Sequence, residues 1–456
     1  MRAAGTPALL TALLTALVAA PVHVNPPIRR CAPEIVVADP SGQEYRSPGV
    51  GSLYALKFDE YGPPRVRAAL TRGQVPVTPE GPLARADIDG DGCEDLVVGS
   101  PHVDAFRQPD APAIGAGPGD DGLVQILWGG PGDSPGVRDT TVLPAPEAGR
   151  RGHFGWSVAA AKGLVAVGAP HEDAPGAADS GAVYLFRLSG REVRDAPRRI
   201  TQDSPGVPGN GEAGDAFGWS LALADLGGLT GVPELVVGAP YEDDDGAGRQ
   251  QDGQGVPHAG AVTLLADVTT AGPTRGWRLS GPSAPGARYG YALATGEGDG
   301  PAYLAASAPG VDAVNLYEVT PDGEPRPVLQ WRGTGAFGFS LALGYGRLAV
   351  GAPYGGTAGT VTALPLDGGP ATTLPGSGAG DRFGWAVAWA DDGWLLVGAP
   401  DRGTTGAVAL VPLGGGERIW LAPGDGFVPS PPSAGIGPRF KPNEQGVALD
   451  FGASMG

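Results

Sequence analysis

The chain reads as an all-β protein, a seven-bladed β-propeller of four-stranded antiparallel blades. Three observations lead there: a segment that recurs, a constant order of short β-like runs inside each copy, and two termini that match different parts of one unit. The segment is clearest at Phe154–Pro170, FGWSVAAAKGLVAVGAP. Phe217-Gly218 leads likewise to Gly238-Ala239-Pro240, Phe337-Gly338 to Gly351-Ala352-Pro353, and Phe383-Gly384 to Gly398-Ala399-Pro400. Tyr289-Gly290 with Ser307-Ala308-Pro309 is a worn copy, and Gly99-Ser100-Pro101 ends another whose aromatic-Gly has decayed to Glu80-Gly81. A repeated unit that cannot bury its own apolar face has to stack on its neighbours.

Within a copy the elements follow one order. A short alternating run after the aromatic-Gly is the first strand, and an apolar run such as Leu164–Val167 is the second. The third opens on Gly, as at Gly181–Phe186, Gly260–Leu265, Gly359–Leu364 and Gly406–Leu410; the fourth is weaker, as at Arg198–Thr201, Gly276–Leu279 and Arg418–Leu421. Runs of this length, rich in Val and aromatics and bounded by Gly and Pro, are strands. Six copies are complete. The ends supply a seventh: Gly446–Ser454 tracks the second strand, Gly51–Phe58 the third and Arg65–Leu70 the fourth. Joining them closes the ring with strands from both termini and removes the exposed sheet edges of an open array. If Phe451-Gly452 is instead another aromatic-Gly, closure needs one C-terminal strand. Pro423–Pro438 is the linker into that blade.

The FG…GAP pattern at this spacing resembles the FG-GAP repeats of integrin α-subunit head domains and their bacterial secreted relatives, over roughly residues 49–456. The resemblance implies a propeller used for extracellular binding, with calcium held in some blade loops. The expected layout is a signal peptide at 1–20, an N-terminal arm at 21–48 and the propeller at 49–456.

Composition narrows the partners. A net charge of −18 disfavours nucleic acid and anionic membranes, which it would repel. The 79 glycines and 48 prolines would suggest low complexity if no period existed. Met1-Arg2 before the apolar Ala8–Ala20, with Val18-Ala19-Ala20 as a small-residue cleavage site, predicts export; an ordinary apolar N-terminus is the other reading. No other run is long and apolar enough to span a bilayer. Cys31 and Cys93 are compatible with one disulfide or with two free thiols.

Asp87-x-Asp89-x-Asp91-Gly92-Cys93-x-Asp95 carries the sharpest chemistry. Ca2+ takes about six to eight oxygens, and carboxylates at alternate positions of a tight turn converge on one point. Asp87, Asp89 and Asp91 are the expected side-chain ligands, Cys93 offers its backbone carbonyl, and Asp95 closes the shell. An EF-hand fits poorly, because its twelfth position is Val98 rather than Glu and a strand follows. Four carboxylates this close repel one another without a cation. A metal here braces the first hairpin of the blade, and equivalent turns at Ala161–Gly163, Asp225–Glu234 and Asp391–Gly393 lack the alternation.

Strand alternation puts this turn on one face and the loops after Gly-Ala-Pro on the other. Those loops are long at His102–Asp121, His171–Ser180 and Tyr241–Ala259, which suits a recognition sector, a weak second cation site or ordinary solvated loop charge. Glu172, Asp173, Glu242 and Asp243 make it acidic. One residue past each aromatic-Gly stands another ring: Trp156, Trp219, Tyr291, Phe339 and Trp385. Two roles suit them: packing blade on blade, or, as the integrin resemblance implies, gripping a Lys, an Arg or a sugar.

Catalysis finds little support. Gly155-Trp156-Ser157-Val158-Ala159 approaches a nucleophile elbow, but its final Gly is Ala and no helix follows. A serine repeated at 220 and 340 better suits a hydroxyl tying backbone to backbone. The five histidines, His23, His102, His153, His171 and His258, show no zinc spacing. The expectation is a secreted, monomeric, calcium-binding recognition or adhesion module for a protein or surface ligand. A glycan-binding lectin-like propeller is the alternative, and an extracellular hydrolase on the long-loop face the second alternative.

Overall fold

Strand two of each copy is apolar at nearly every position because both its faces are covered, so it lacks the in-out alternation of a half-exposed sheet. In the computed structural model, Leu164–Ala169 and Glu234–Ala239 are buried along their whole length. Val165 and Val167 point into the core shared with the preceding blade, while Leu164 and Ala166 point into the core shared with the following one. The model describes residues 34–39, 52–57, 65–69, 82–101, 121–130, 139–146 and 152–422, the last with gaps at 228–231, 244–254, 267, 269–272, 274, 297–300, 392 and 404–405.

Six four-stranded antiparallel blades result. Blade 1 comprises Leu83–Ala86, Asp95–Ser100, Leu123–Leu127 and Thr140–Pro144. Blade 2 comprises Ser157–Ala161, Leu164–Ala169, Ala182–Ser189 and Arg198–Ile200, with Glu192–Val193 added beyond the third strand as a small hairpin. Blade 3 comprises Ser220–Ala224, Glu234–Ala239, Ala261–Ala266 and Arg275–Arg278. Blade 4 comprises Leu293–Gly296, Ala302–Ala308, Ala313–Val319 and Pro325–Arg332. Blade 5 comprises Ser340–Gly344, Arg347–Ala352, Thr360–Pro365 and Thr372–Pro375. Blade 6 comprises Val387–Asp391, Trp394–Ala399, Ala407–Pro412 and Ile419–Leu421. First strands of consecutive blades pack side by side from blade 1 through blade 6.

The motif itself is the joint between blades. A Cβ at Gly168 would lie 2.1 Å from the carbonyl oxygen of Gly218 in the next blade, and the same clash recurs from Gly99 onto Gly155, Gly238 onto Gly290 and Gly351 onto Gly384. Only glycine permits that approach. The hydroxyls of Ser157, Ser220 and Ser340 then donate to the same carbonyls, of Gly218, Gly290 and Gly384, at 2.7–2.9 Å. In blade 6 the serine is replaced by Ala386. Bridges from Gly181 to Phe217 and from Gly359 to Phe383 fasten the third strand to the next buried aromatic.

The expected count of seven four-stranded blades, the last closed by strands from both termini, is corrected to six among the described residues. The N-terminal segments at 51–58 and 65–70 are strands, Ser52–Lys57 and Arg65–Ala69. Their sheet, however, has three strands, and the third partner is Glu34–Asp39, inside the segment 21–48 expected as an arm. It pairs antiparallel with Ser52–Lys57, Asp39 opposite Ser52. The EIVVAD run needs only the connection 40–51 to reach its partner, far less loop-closure entropy than recruiting the other end of the chain. Gly446–Ser454 and Pro423–Pro438 lie outside the described residues, as do the segments 1–20 and 102–120.

Candidate functional site

The Asp87–Asp95 turn joins strands one and two of blade 1. Gly90 and Gly92 take left-handed conformations, φ 78° and 88°, which curl the loop inward. Each of three aspartates then spends one oxygen on the loop's own backbone: Asp87 Oδ2 accepts from Gly92 N–H (3.1 Å), Asp89 Oδ1 from Asp91 N–H (3.0 Å) and Asp91 Oδ1 from Cys93 N–H (2.8 Å). The second oxygen of each turns away from the loop's own backbone. Asp95, fully buried, accepts from Ile88 N–H (2.9 Å) on one oxygen and Gly129 N–H (2.8 Å) on the other. Burial pushes its carboxyl up to about 6, against the backbone donors that pull it down.

Asp87, Asp89 and Asp95 bring one carboxylate oxygen each within 4.8 Å of one another. Asp87 Oδ1 is buried and accepts no hydrogen bond among the described residues. Three converging carboxylates, one of them with an oxygen left without a hydrogen bond, fit a hard divalent cation of the Ca2+ kind. Asp91 stands outside that trio, its free oxygen turned toward Arg191 of blade 2. Cys93 is buried and disulfide-bonded, and the sequence has one other cysteine, Cys31.

The five rings form one continuous arc. Trp156, Trp219, Tyr291, Phe339 and Trp385 follow one another with centroid separations of 4.8, 5.7, 5.3 and 4.5 Å. Each stands at the entry to a first strand, so the arc lies on the face opposite the acidic turn. A second tier, missed in the sequence, stands edge-on to it: His171 to Trp156, Tyr241 to Trp219 and Tyr354 to Phe339, at 5.4, 5.2 and 6.3 Å. The available signal was that all three directly follow Gly-Ala-Pro. Arg288 lies over Tyr241, and Arg382 over Tyr354 and Trp385.

The acidic candidates separate. Glu172 and Glu242 are buried and pair with strand-four arginines, Glu172 with Arg199 at 2.6 Å and Glu242 with Arg278 at 3.1 Å. Tyr184 also donates to Glu172, and Gln202 to Glu242. Asp173 accepts from Asp179 N–H and Asp243 from His258 N–H, each closing its own loop. Asp215, beside Glu242, is pushed up to about 8 by burial and by the neighbouring carboxylates. His153 and His171 stack edge to face at 4.7 Å within the aromatic tiers.

Residues 138–186 match the family model of the FG-GAP repeat. The chain is 27% identical over 198 residues to Integrin alpha-3 of Cricetulus griseus, covering 42% of this chain and 17% of that protein. It is 33% identical over 171 residues to Integrin alpha-PS2 of Drosophila melanogaster, covering 36% of this chain and 11% of that protein. The chain thus spans less than a fifth of the length of these curated relatives. No helix among the described residues is long and apolar enough to cross a membrane.

Proposed function

We propose that this chain, an FG-GAP integrin-α-like propeller, is a recognition module that works outside the cell. Its aromatic face receives a basic side chain of a protein partner, and its Asp87–Asp95 turn holds Ca2+. The observation that carries the reading is the arc itself: rings from five successive blades follow one another at the entry ends of the first strands. Ring faces attract a guanidinium or ammonium, by about 2 kcal/mol or more once water is excluded. The net charge of −18 draws such a partner in from a distance. Export accords with the disulfide at Cys93, since disulfides persist in oxidising compartments.

Calcium has a bracing role in this reading. Bound to Asp87, Asp89 and Asp95, it would neutralise charge that the hairpin otherwise gathers at one point. No catalytic step is assigned, because the repeated serines are spent on joining blades.

The test has two arms. An arginine-rich peptide titrated into the protein should change its tryptophan fluorescence saturably, and Trp219→Ala should weaken that binding about tenfold. Saturation by polysaccharide, with no response to the peptide, would transfer the face to a glycan. Saturating Ca2+ should raise the melting temperature by about 5 °C and EDTA should reverse it. No shift, and no loss of response in Asp87→Ala, would remove the metal from the reading.

A further inference from the structure

The second oxygens of the acidic turn are not all idle. Arg191 forms, with Gly190, the two-residue turn of the small hairpin beyond the third strand of blade 2, where Ser189 pairs with Glu192. From there its guanidinium crosses to blade 1. Nε donates to Asp89 Oδ2 at 2.8 Å, and a terminal nitrogen lies 3.6 Å from Asp91 Oδ2. The same nitrogen donates to the Gly129 carbonyl at 3.1 Å, another lies 3.8 Å from Asp139, and the group stands 5.5 Å from the Trp128 ring centre.

Those contacts define an overlap. Asp87, Asp89 and Asp91 each turn one oxygen to their own backbone and present the other. Of the three presented oxygens, Asp89 Oδ2 and Asp91 Oδ2 face Arg191, and Asp87 Oδ1 is the orphan. A cation that takes Asp89 through its presented oxygen needs the position the guanidinium holds. Two positive groups do not share one buried carboxylate oxygen without strong repulsion. The Arg191 side chain is 36% exposed, so it has a path into solvent when displaced.

We infer that Arg191 is a tethered stand-in for the metal, and that Ca2+ and its guanidinium are mutually exclusive partners of Asp89. Without calcium the arginine satisfies the turn and latches blade 2 to blade 1. With calcium the latch opens and the ion braces the turn. The affinity for calcium is therefore set by the neighbouring blade. This inference rests on the calcium reading of the turn given above.

The test uses the full chain, stripped with EDTA and titrated with CaCl2 by calorimetry. Arg191→Met should bind Ca2+ about tenfold more tightly than wild type, as a coupling between exclusive partners requires. It should melt below wild type in EDTA and level with it in saturating Ca2+. Arg187→Met removes the same charge from the same hairpin, where Arg187 pairs with Asp195, and should leave the affinity unchanged. Equal affinities for wild type and Arg191→Met would overturn the exclusion and leave the calcium turn standing. An equal gain in Arg187→Met would reduce the effect to net charge and overturn it too. Failure of wild type and both variants to bind would overturn the calcium reading and the exclusion together.

Discussion

Asp215 and Asp381 occupy the same place, two residues before the buried phenylalanine of their blades, and each accepts the backbone N–H three residues back. Their neighbours differ in sign. Asp381 meets Arg402 at 2.6 Å, whereas the residue at Arg402's position in the earlier blade is Glu242. Asp215 therefore keeps its proton up to about pH 8. The unfolded chain releases that proton near pH 4, so the folded state holds one more proton between those values and loses stability as pH rises through the window. Asp215→Asn should melt above wild type by a margin that widens by several degrees between pH 5 and pH 8. A margin constant across that range would refute the buried proton. Asp95 and Glu234 share a second backbone bond: Glu234 takes the N–H of Leu226 as Asp95 takes that of Ile88, in a turn without the aspartate alternation. The closing carboxylate is thus a hairpin clamp in its own right, with or without metal.

At the level of the element, the Gly-Ala-Pro glycine is where one strand meets the next blade's backbone. Gly168→Ala drives a methyl group into the Gly218 carbonyl, at a cost of about 3 kcal/mol or more. Gly414→Ala, where an added Cβ meets nothing within 4 Å, should stay within about 0.5 kcal/mol. Denaturant melts of both variants check the contrast, and equal losses would mean that the joint is not the glycine. The strands were legible because this joint repeats and its glycines punctuate the chain; Arg198–Ile200 and Ile419–Leu421 fall within the runs read from sequence. Glu34–Asp39 was not, since nothing in EIVVAD carries the motif and its partner is chosen by loop length. The aspartate turn and the inner rings were legible because local spacing encodes them. Arg191 was not, because it lies 102 positions from Asp89 and only blade packing joins them. Glu172 and Glu242 were legible as acids, but their burial against Arg199 and Arg278 depends on the fourth strand across the sheet.

Over the whole molecule, the core is divided among the clefts between blades rather than gathered at one centre, each cluster drawing on two consecutive sheets. Stability is then largely a sum over neighbouring contacts. A covalent tie at Cys93 acts on the first of those sheets. Reduction should lower the melting temperature, with a loss of about 2–4 kcal/mol, and Cys93→Ala should show no further response to reductant. An unchanged melt on reduction would mean that the bond is not stabilising. The three joining serine hydroxyls reach forward, from blades 2, 3 and 5 to the blade that follows each. A copy duplicated in the gene would arrive with its donor at one side and its acceptor at the other, ready to slot between two existing copies. Blade number can thus drift over evolutionary time without any new interface having to be invented.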